Sequence, residues 1–218
     1  MNIVCLGGGP AGLYFALLMK LQDSAHVIAV VERNRPFETF GSGVVLPYQT
    51  LSNLRAADLV SVQLVGNAFN YLDNVEMFFK GRSVRSGGHG FCGIRRKKML
   101  TVLQERCIAL DVELVFKADV QDDQAVTRQY NADLMIACDG LNSRIRSRYA
   151  DIYKSDVEMR DCRFVWLSTK KTLMPLRLRL NKPTTAGLPR MPINLMRTPR
   201  PSSLKHHNPC VGRMAWTR

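Results

Sequence analysis

The sequence predicts an α/β protein built on a Rossmann-like, dinucleotide-binding sheet, and three observations carry that prediction. The chain opens on an apolar strand, Ile3 to Leu6, that runs directly into Gly7-x-Gly9-x-x-Gly12 and an amphipathic helix. A second apolar strand, Val27 to Val31, ends on Glu32, twenty residues beyond the last of those glycines. A third apolar run, D-L-M-I-A-C over 133–138, leads into another turn at Asp139-Gly140.

Each glycine of the first turn has its own task. Gly7 permits the tight turn, Gly9 lets the backbone approach a pyrophosphate, and Gly12 lets the helix lie close to the strand. Pro10 and Ala11 open that helix, Pro10 to Lys20, whose first-turn N–H groups and positive dipole end suit an anion. Glu32 at the end of the second strand suits the hydroxyls of an unphosphorylated ribose, as in FAD or NAD. Arg33 beside it leaves an opening for a phosphorylated one.

Further along, residues 33–50 read as a long loop and a short helix is expected within Leu51 to Asp58. Val75 to Phe79, a turn at Lys80-Gly81 and Arg82 to Arg85 form a β-hairpin. Ser86 to Cys92 reads as a flexible glycine-rich loop, in which His89 is more simply a loop histidine than a substrate contact. Arg96 to Leu110 has helical periodicity, with Met99, Leu100, Val102, Leu103, Cys107 and Leu110 on or beside one face. Arg96 at its start is either part of a solvated basic face or a phosphate contact. Val112 to Phe116 and Arg163 to Ser168 read as strands, the 133–138 strand as buried, and Asn142 to Tyr149 as a short helix. In the pattern D-G-x-x-S-x-[IV]-R, Asp139 is placed to accept from a cofactor hydroxyl, Gly140 frees the turn, and Ser143 caps the helix.

Composition narrows the classes. The six cysteines (5, 92, 107, 138, 162 and 210) form no CxxC pair, so reduced, mostly buried thiols, a cytoplasmic setting and no metal centre are expected. Residues 3–19 lack the preceding basic residue of a signal peptide, and no apolar run reaches the ~20 residues of a membrane span. The net charge of +13 is misleading as a nucleic-acid signal. Up to Thr169 there are 20 Lys+Arg against 18 Asp+Glu, whereas Lys170 to Arg218 hold 11 Lys+Arg, no acid and seven of the ten prolines.

The three elements together are what identify a family. GGGPAG with Glu32, the I-x-R-x-x-[ML] helix start, and D-L-x-I-x-x-D-G-x-x-S-x-x-R resemble the FAD-dependent aromatic monooxygenases of the p-hydroxybenzoate hydroxylase class. The stretches V-V-E-R-N-R-P-F and R-S-G-G-H-G-F-C-G-I narrow the resemblance to the flavin module of salicyloyl-CoA hydroxylases and 2-aminobenzoyl-CoA monooxygenases, over roughly residues 1–171. By that resemblance Gly7, Gly9, Pro10, Ala11 and Gly12 hold the FAD pyrophosphate, Glu32 and Arg33 flank the adenosine ribose, and Arg96 contacts the flavin linker. Asp139 and Gly140 serve FAD and the passing NADH or NADPH. The substrate implied is an aromatic acid or its CoA thioester, with oxygen as co-substrate. The family's chemistry needs no protein nucleophile, so no catalytic acid or base is assigned. An oxidoreductase of the disulfide-reductase or amine-oxidase type, or a nonenzymatic dinucleotide-binding module, are the alternatives; the first would need a redox CxxxxC or a second GxGxxG.

Two departures from the family stand out. Ser42 takes the place of an aromatic residue in G-x-G-V-V, and the family's later G-D motif is absent with most of the substrate-binding sheet. The expectation is therefore a C-terminally cut flavin domain over 1–171, inactive or weak in FAD binding, with a free sheet edge. Residues 172–218 form a basic, proline-rich tail that is disordered, a nucleic-acid arm, or translated out of frame. The first has the composition for it, and the second lacks interleaved aromatics. The third is favoured: with each codon starting at the third base of the present one, the stretch from Leu173 is rereadable as D-A-F-A-F-A-F, an alternating strand.

Overall fold

The computed structural model describes residues 1–39, 43–66, 68–79, 81–165, 176–180 and 211–217. Its central sheet has four parallel strands: β1 (Asn2–Leu6), β2 (Val27–Glu32), β8 (Glu113–Phe116) and β9 (Leu134–Ala137), in the order β8-β2-β1-β9. Between them lie the strands β3 (Gly43–Pro47), β4 (Asn70–Leu72), β5 (Val75–Phe79), β6 (Arg82–Ser86) and β7 (Phe91–Arg95). The helices are α1 (Pro10–Gln22), α2 (Tyr48–Ala57), α3 (Leu59–Gly66), α4 (Arg96–Ala109), α5 (Asp123–Gln129), α6 (Arg144–Arg148) and α7 (Ala150–Tyr153). Three more strands follow or flank them: β10 (Val157–Val165), β11 (Leu176–Leu180) and β12 (Val211–Thr217).

The period-two alternation of a strand explains why this sheet is covered on both faces. Ile3 and Cys5 of β1, with Ile28 and Val30 of β2, face a core shared with Leu13, Ala16 and Leu17 of α1 and Leu100, Leu103 and Cys107 of α4. Val4, Leu6 and Val31 face the opposite way, where Ile145 of α6 closes the layer over Val115, Val126, Met135 and Tyr149. Leu13 and Leu17 are fully buried, each worth about 1.5–3 kcal/mol over an exposed position. The connection from β8 to β9 runs through α5, whose Val126 packs on that second face.

The hairpin β5–β6 forms with the expected register, Phe79 opposite Arg82. Several expectations are corrected. The 33–50 loop contains β3, which pairs antiparallel with β7, and helix α2 begins already at Tyr48. The glycine-rich loop shrinks to 87–90, because β6 extends through Ser86 and Phe91 starts β7. Long-range pairing decides both: Gly93 bonds to β3 on one side and β4 on the other, a partnership that no local pattern displays. Helices α3 and α5 have no counterpart in the sequence reading. The 133–138 strand is half-buried rather than buried, because β9 is the edge strand of its sheet. Arg163 to Ser168 falls partly within β10, and residues 166–168 lie outside the described residues, as does Ser42.

Two stretches of the tail are strands. Leu176–Leu180 pairs parallel with β5, and Val211–Thr217 pairs antiparallel with β10. The remainder of 172–218 lies outside the described residues.

Candidate functional site

Three turns stand side by side at the carboxyl edge of the parallel sheet. Glu32 ends β2, the glycine-rich turn leaves β1, and Asp139-Gly140 follows β9, on three adjacent strands whose spacing is about 4.8 Å. In open α/β sheets ligands bind in the crevice beyond those strand ends.

The three glycines differ in their surroundings. At Gly7 the backbone has φ +113, and an added Cβ would lie 2.3 Å from the Cys138 carbonyl oxygen. At Gly12 an added Cβ would lie 2.1 Å from the Gly7 carbonyl oxygen. These two positions bring helix, turn and neighbouring strand into contact. A Cβ on Gly9 would meet nothing within 4 Å, so this position faces open space at the start of α1. Pro10 is the first residue of α1 and Ala11 is exposed beside it. The first-turn amides of the helix have no acceptor within it.

Glu32 is half-buried and already at work. Its Oε2 accepts from Gly8 N at 2.7 Å, while Oε1 accepts from Asn34 N at 2.8 Å and Asn34 Nδ2 at 2.7 Å. The carboxylate thus ties the glycine-rich turn to the end of β2 and keeps room for a further donor at Oε2. Arg33 is exposed next to it.

At the other end of the row, Asp139 Oδ2 accepts from Arg144 N at 2.8 Å and Ile145 N at 3.5 Å. Ser143 caps α6 as expected, its Oγ accepting from Arg146 N at 2.9 Å. Asp139 therefore shares the cap with Ser143, and Oδ1 is the oxygen facing other tasks. Gly140 has φ +88, a conformation suited to glycine. Arg96 begins α4, and its Nε is buried with no hydrogen-bond partner among the described residues. A buried guanidinium nitrogen without an acceptor fits an anionic group.

The thiols below the turn are poor nucleophiles. Burial, with Cys138 and Cys107 nearby, pushes Cys5 up to about 12. Burial and the Asp139 carboxylate raise Cys138 as well. His89 is exposed and stacks on Phe91, with ring centroids 6.2 Å apart, away from the row of turns in sequence and sheet. The described residues contain no group of three or more His, Cys, Asp or Glu able to hold a metal. No helix among them is long and apolar enough to cross a membrane.

Sequence reasoning missed Gly8 N, Asn34, and the acids Asp119 and Asp123 that hold α6. Asn34 was visible as a short polar residue two beyond Glu32, the spacing of a local side-chain hydrogen bond. The partners of α6 left no local signal.

The chain is 37% identical over 169 residues to salicyloyl-CoA 5-hydroxylase from Streptomyces sp, covering 78% of this chain and 32% of that protein. It is 27% identical over 177 residues to 3-hydroxy-4-methyl-anthranilyl-[aryl-carrier protein] 5-monooxygenase from Streptosporangium sibiricum, covering 81% of this chain and 49% of that one. Over most of its length this chain resembles the flavin-dependent aromatic monooxygenases. Among solved structures, a tetrameric form of 2-methyl-3-hydroxypyridine-5-carboxylic acid oxygenase superimposes with a TM-score of 0.66 at 19% identity, over 88% of this chain and 56% of that chain. CtdE, in complex with FAD and a substrate, superimposes with a TM-score of 0.63 at 16% identity, over 83% of this chain and 51% of that chain. These likenesses establish the Rossmann-like α/β fold. No protein-family model matches the chain. The chain spans 32% to 49% of the length of the curated relatives it matches.

Proposed function

We propose that residues 1–171 form the FAD-binding unit of an NAD(P)H-dependent monooxygenase that hydroxylates an aromatic acid or its CoA thioester in the cytoplasm. The row of three turns carries the proposal: an acid, an open glycine and a second acidic turn lie in the order a dinucleotide needs. Gly9 and the first-turn amides of α1 receive the pyrophosphate, with Gly7 and Gly12 shaping the turn and Pro10 and Ala11 opening the helix. Glu32 takes a ribose hydroxyl at Oε2, with Arg33 at the rim. Arg96 supplies its buried Nε to the linker, and Asp139 and Gly140 bound the flavin half. When bound, FAD supplies the electron transfer and oxygen activation. The chain's own residues bind, orient and shield; none is assigned as an acid or base.

Support comes from the fold, from the 37% identity to a salicyloyl-CoA hydroxylase over this region, and from the unpartnered Arg96 nitrogen. The test is titration of the 218-residue chain with FAD, followed by anaerobic NADH and NADPH while the flavin absorbance is recorded. Weak but saturable FAD binding is expected, and bleaching by either nucleotide would show that the cut domain keeps the reductive step. Saturable FAD binding without bleaching would instead make this a nonenzymatic dinucleotide module. Failure to bind any adenine nucleotide would remove the reading altogether.

A further inference from the structure

The segment that links β8 to α5 touches both acidic ends of the crevice. On one side Ala118 N donates to the Glu32 carbonyl at 3.0 Å and Lys117 N to the Asn34 carbonyl at 3.1 Å. On the other side the same segment is clasped by two arginines of α6. Arg144 grips Asp119 with both nitrogens, Nη1 to Oδ1 at 2.7 Å and Nη2 to Oδ2 at 3.2 Å, and Nη1 also reaches the Val120 carbonyl at 3.3 Å. Arg148 Nη1 donates to Asp123 Oδ1, and its Nη2 donates to the Gln121 carbonyl at 2.7 Å. Asp123 is 1% exposed, and its other oxygen accepts from Tyr149 OH at 2.6 Å. The backbone N–H of Arg144 is the very group that Asp139 caps.

Residues 117–123 thus form a strap under the strand ends. It is hydrogen-bonded to the Glu32 end by backbone and ion-paired to the Asp139 end by side chains. We propose that Arg144 and Arg148 are positioning residues: by clasping Asp119 and Asp123 they hold the Asp139-Gly140 turn in register with Glu32 and the glycine-rich turn. This rests on the crevice being an FAD site. Its specific consequence is asymmetric. The adenosine half of the ligand lies on β2 and β1, whose turn is closed by the Gly7 and Gly12 backbone and by Glu32. The flavin half lies on the β9 side, where the arginines act.

The asymmetry supplies the test. The full chain, unmodified and with Arg144→Gln or Arg148→Met, is titrated calorimetrically with FAD and, separately, with ADP. Both variants are expected to bind FAD about tenfold more weakly while ADP stays within about twofold, since a misplaced contact costs only the group it serves. Arg148→Met leaves Asp123 buried without its charge partner and risks misfolding. Arg144→Gln avoids this, because its ion pair is half-exposed and its backbone N–H is unchanged. The exchanged pair Asp119→Arg with Arg144→Asp is expected to recover most of the lost FAD affinity. An equal loss for FAD and ADP, or no loss for either in Arg144→Gln, overturns the inference while the FAD reading stands. Unmodified chain that binds neither ligand overturns both.

Discussion

The two turns that flank β1 and β9 are built in opposite ways. The glycine-rich turn is closed by backbone: Gly7 N donates to Val31 O at 2.8 Å, and helix and strand approach so closely that Gly12 has no room for a Cβ. The Asp139-Gly140 turn is held by side chains that arrive from 20 or more residues away, Asp119 to Arg144 and Asp123 to Arg148. A turn made from backbone contact writes itself into consecutive residues. A turn made from distant ion pairs does not, and its two kinds of contact fail differently.

The largest effect should follow from filling the backbone-built turn. Gly12→Ala and Gly7→Ala are each expected to cost more than about 3 kcal/mol, since the obstructing atoms are main-chain and Gly7 also has positive φ. Gly9→Ala, on the same turn, should leave stability within about 0.5 kcal/mol. It should nevertheless weaken FAD binding by at least about tenfold, ~1.4 kcal/mol. Urea denaturation and FAD titration of the three variants separate the glycines that shape the turn from the one proposed to admit the ligand. Equal destabilisation by all three would erase the distinction.

A buried ion pair between Asp58 and α4 supplies the next comparison. Asp58 lies between α2 and α3, accepts from Ser61 N at 3.2 Å and from Ser61 Oγ, and meets Arg106 Nε of α4 at 3.3 Å. Burial alone would raise its carboxyl, but the hydrogen bonds from Ser61 and the Arg106 guanidinium outweigh it and hold the group below its ordinary value. The folded pKa is depressed, so the contribution is complete above about pH 4 and is lost as pH falls through the folded value. Asp58→Asn is expected to cost about 2–3 kcal/mol at pH 7, with the difference narrowing below pH 4. Urea midpoints of both proteins across that range measure it. A gap that does not change with pH would show that packing, and not charge, is lost.

What the sequence displayed, and what it hid, follows the same division. The β1-turn-α1-β2 unit, the hairpin at Val75 to Ser86 and helix α4 were legible because each is specified by neighbours in the chain: glycine spacing, a two-residue turn, a 3.6-residue apolar period. β3, β7 and the helix α5 were not, because Gly93 and Asp123 owe their places to partners far along the chain. At the site, Glu32 was visible by its distance from the glycines, yet its three protein hydrogen bonds were not. Ser143 was legible as a cap, whereas Arg144 and Arg148 looked like part of an ordinary basic surface.

A moderate effect is expected from Glu32, which joins the two kinds of contact. Glu32→Gln keeps an acceptor for Asn34 or Gly8 but puts an amide where a second acceptor is required. At least one of the three donors now ending on the carboxylate must then go unpaired. A loss of about 1–2 kcal/mol in urea unfolding is expected.

The smallest effect on stability belongs to the exposed clasp. The Arg144 and Asp119 side chains are 49% and 45% exposed, so water and salt already screen their attraction. Arg144→Gln should change the unfolding free energy by less than about 1 kcal/mol, and that difference should vanish in 1 M sodium chloride. Its role lies in geometry: two parallel hydrogen bonds fix where α6 starts, and hence where the Asp139 cap sits. A thermal melt with and without salt measures the energetic part. If Arg144→Gln instead unfolds the protein as readily as Gly12→Ala, the clasp is a structural support equal to the glycine turn, and the contrast between a backbone-built and a side-chain-built turn disappears.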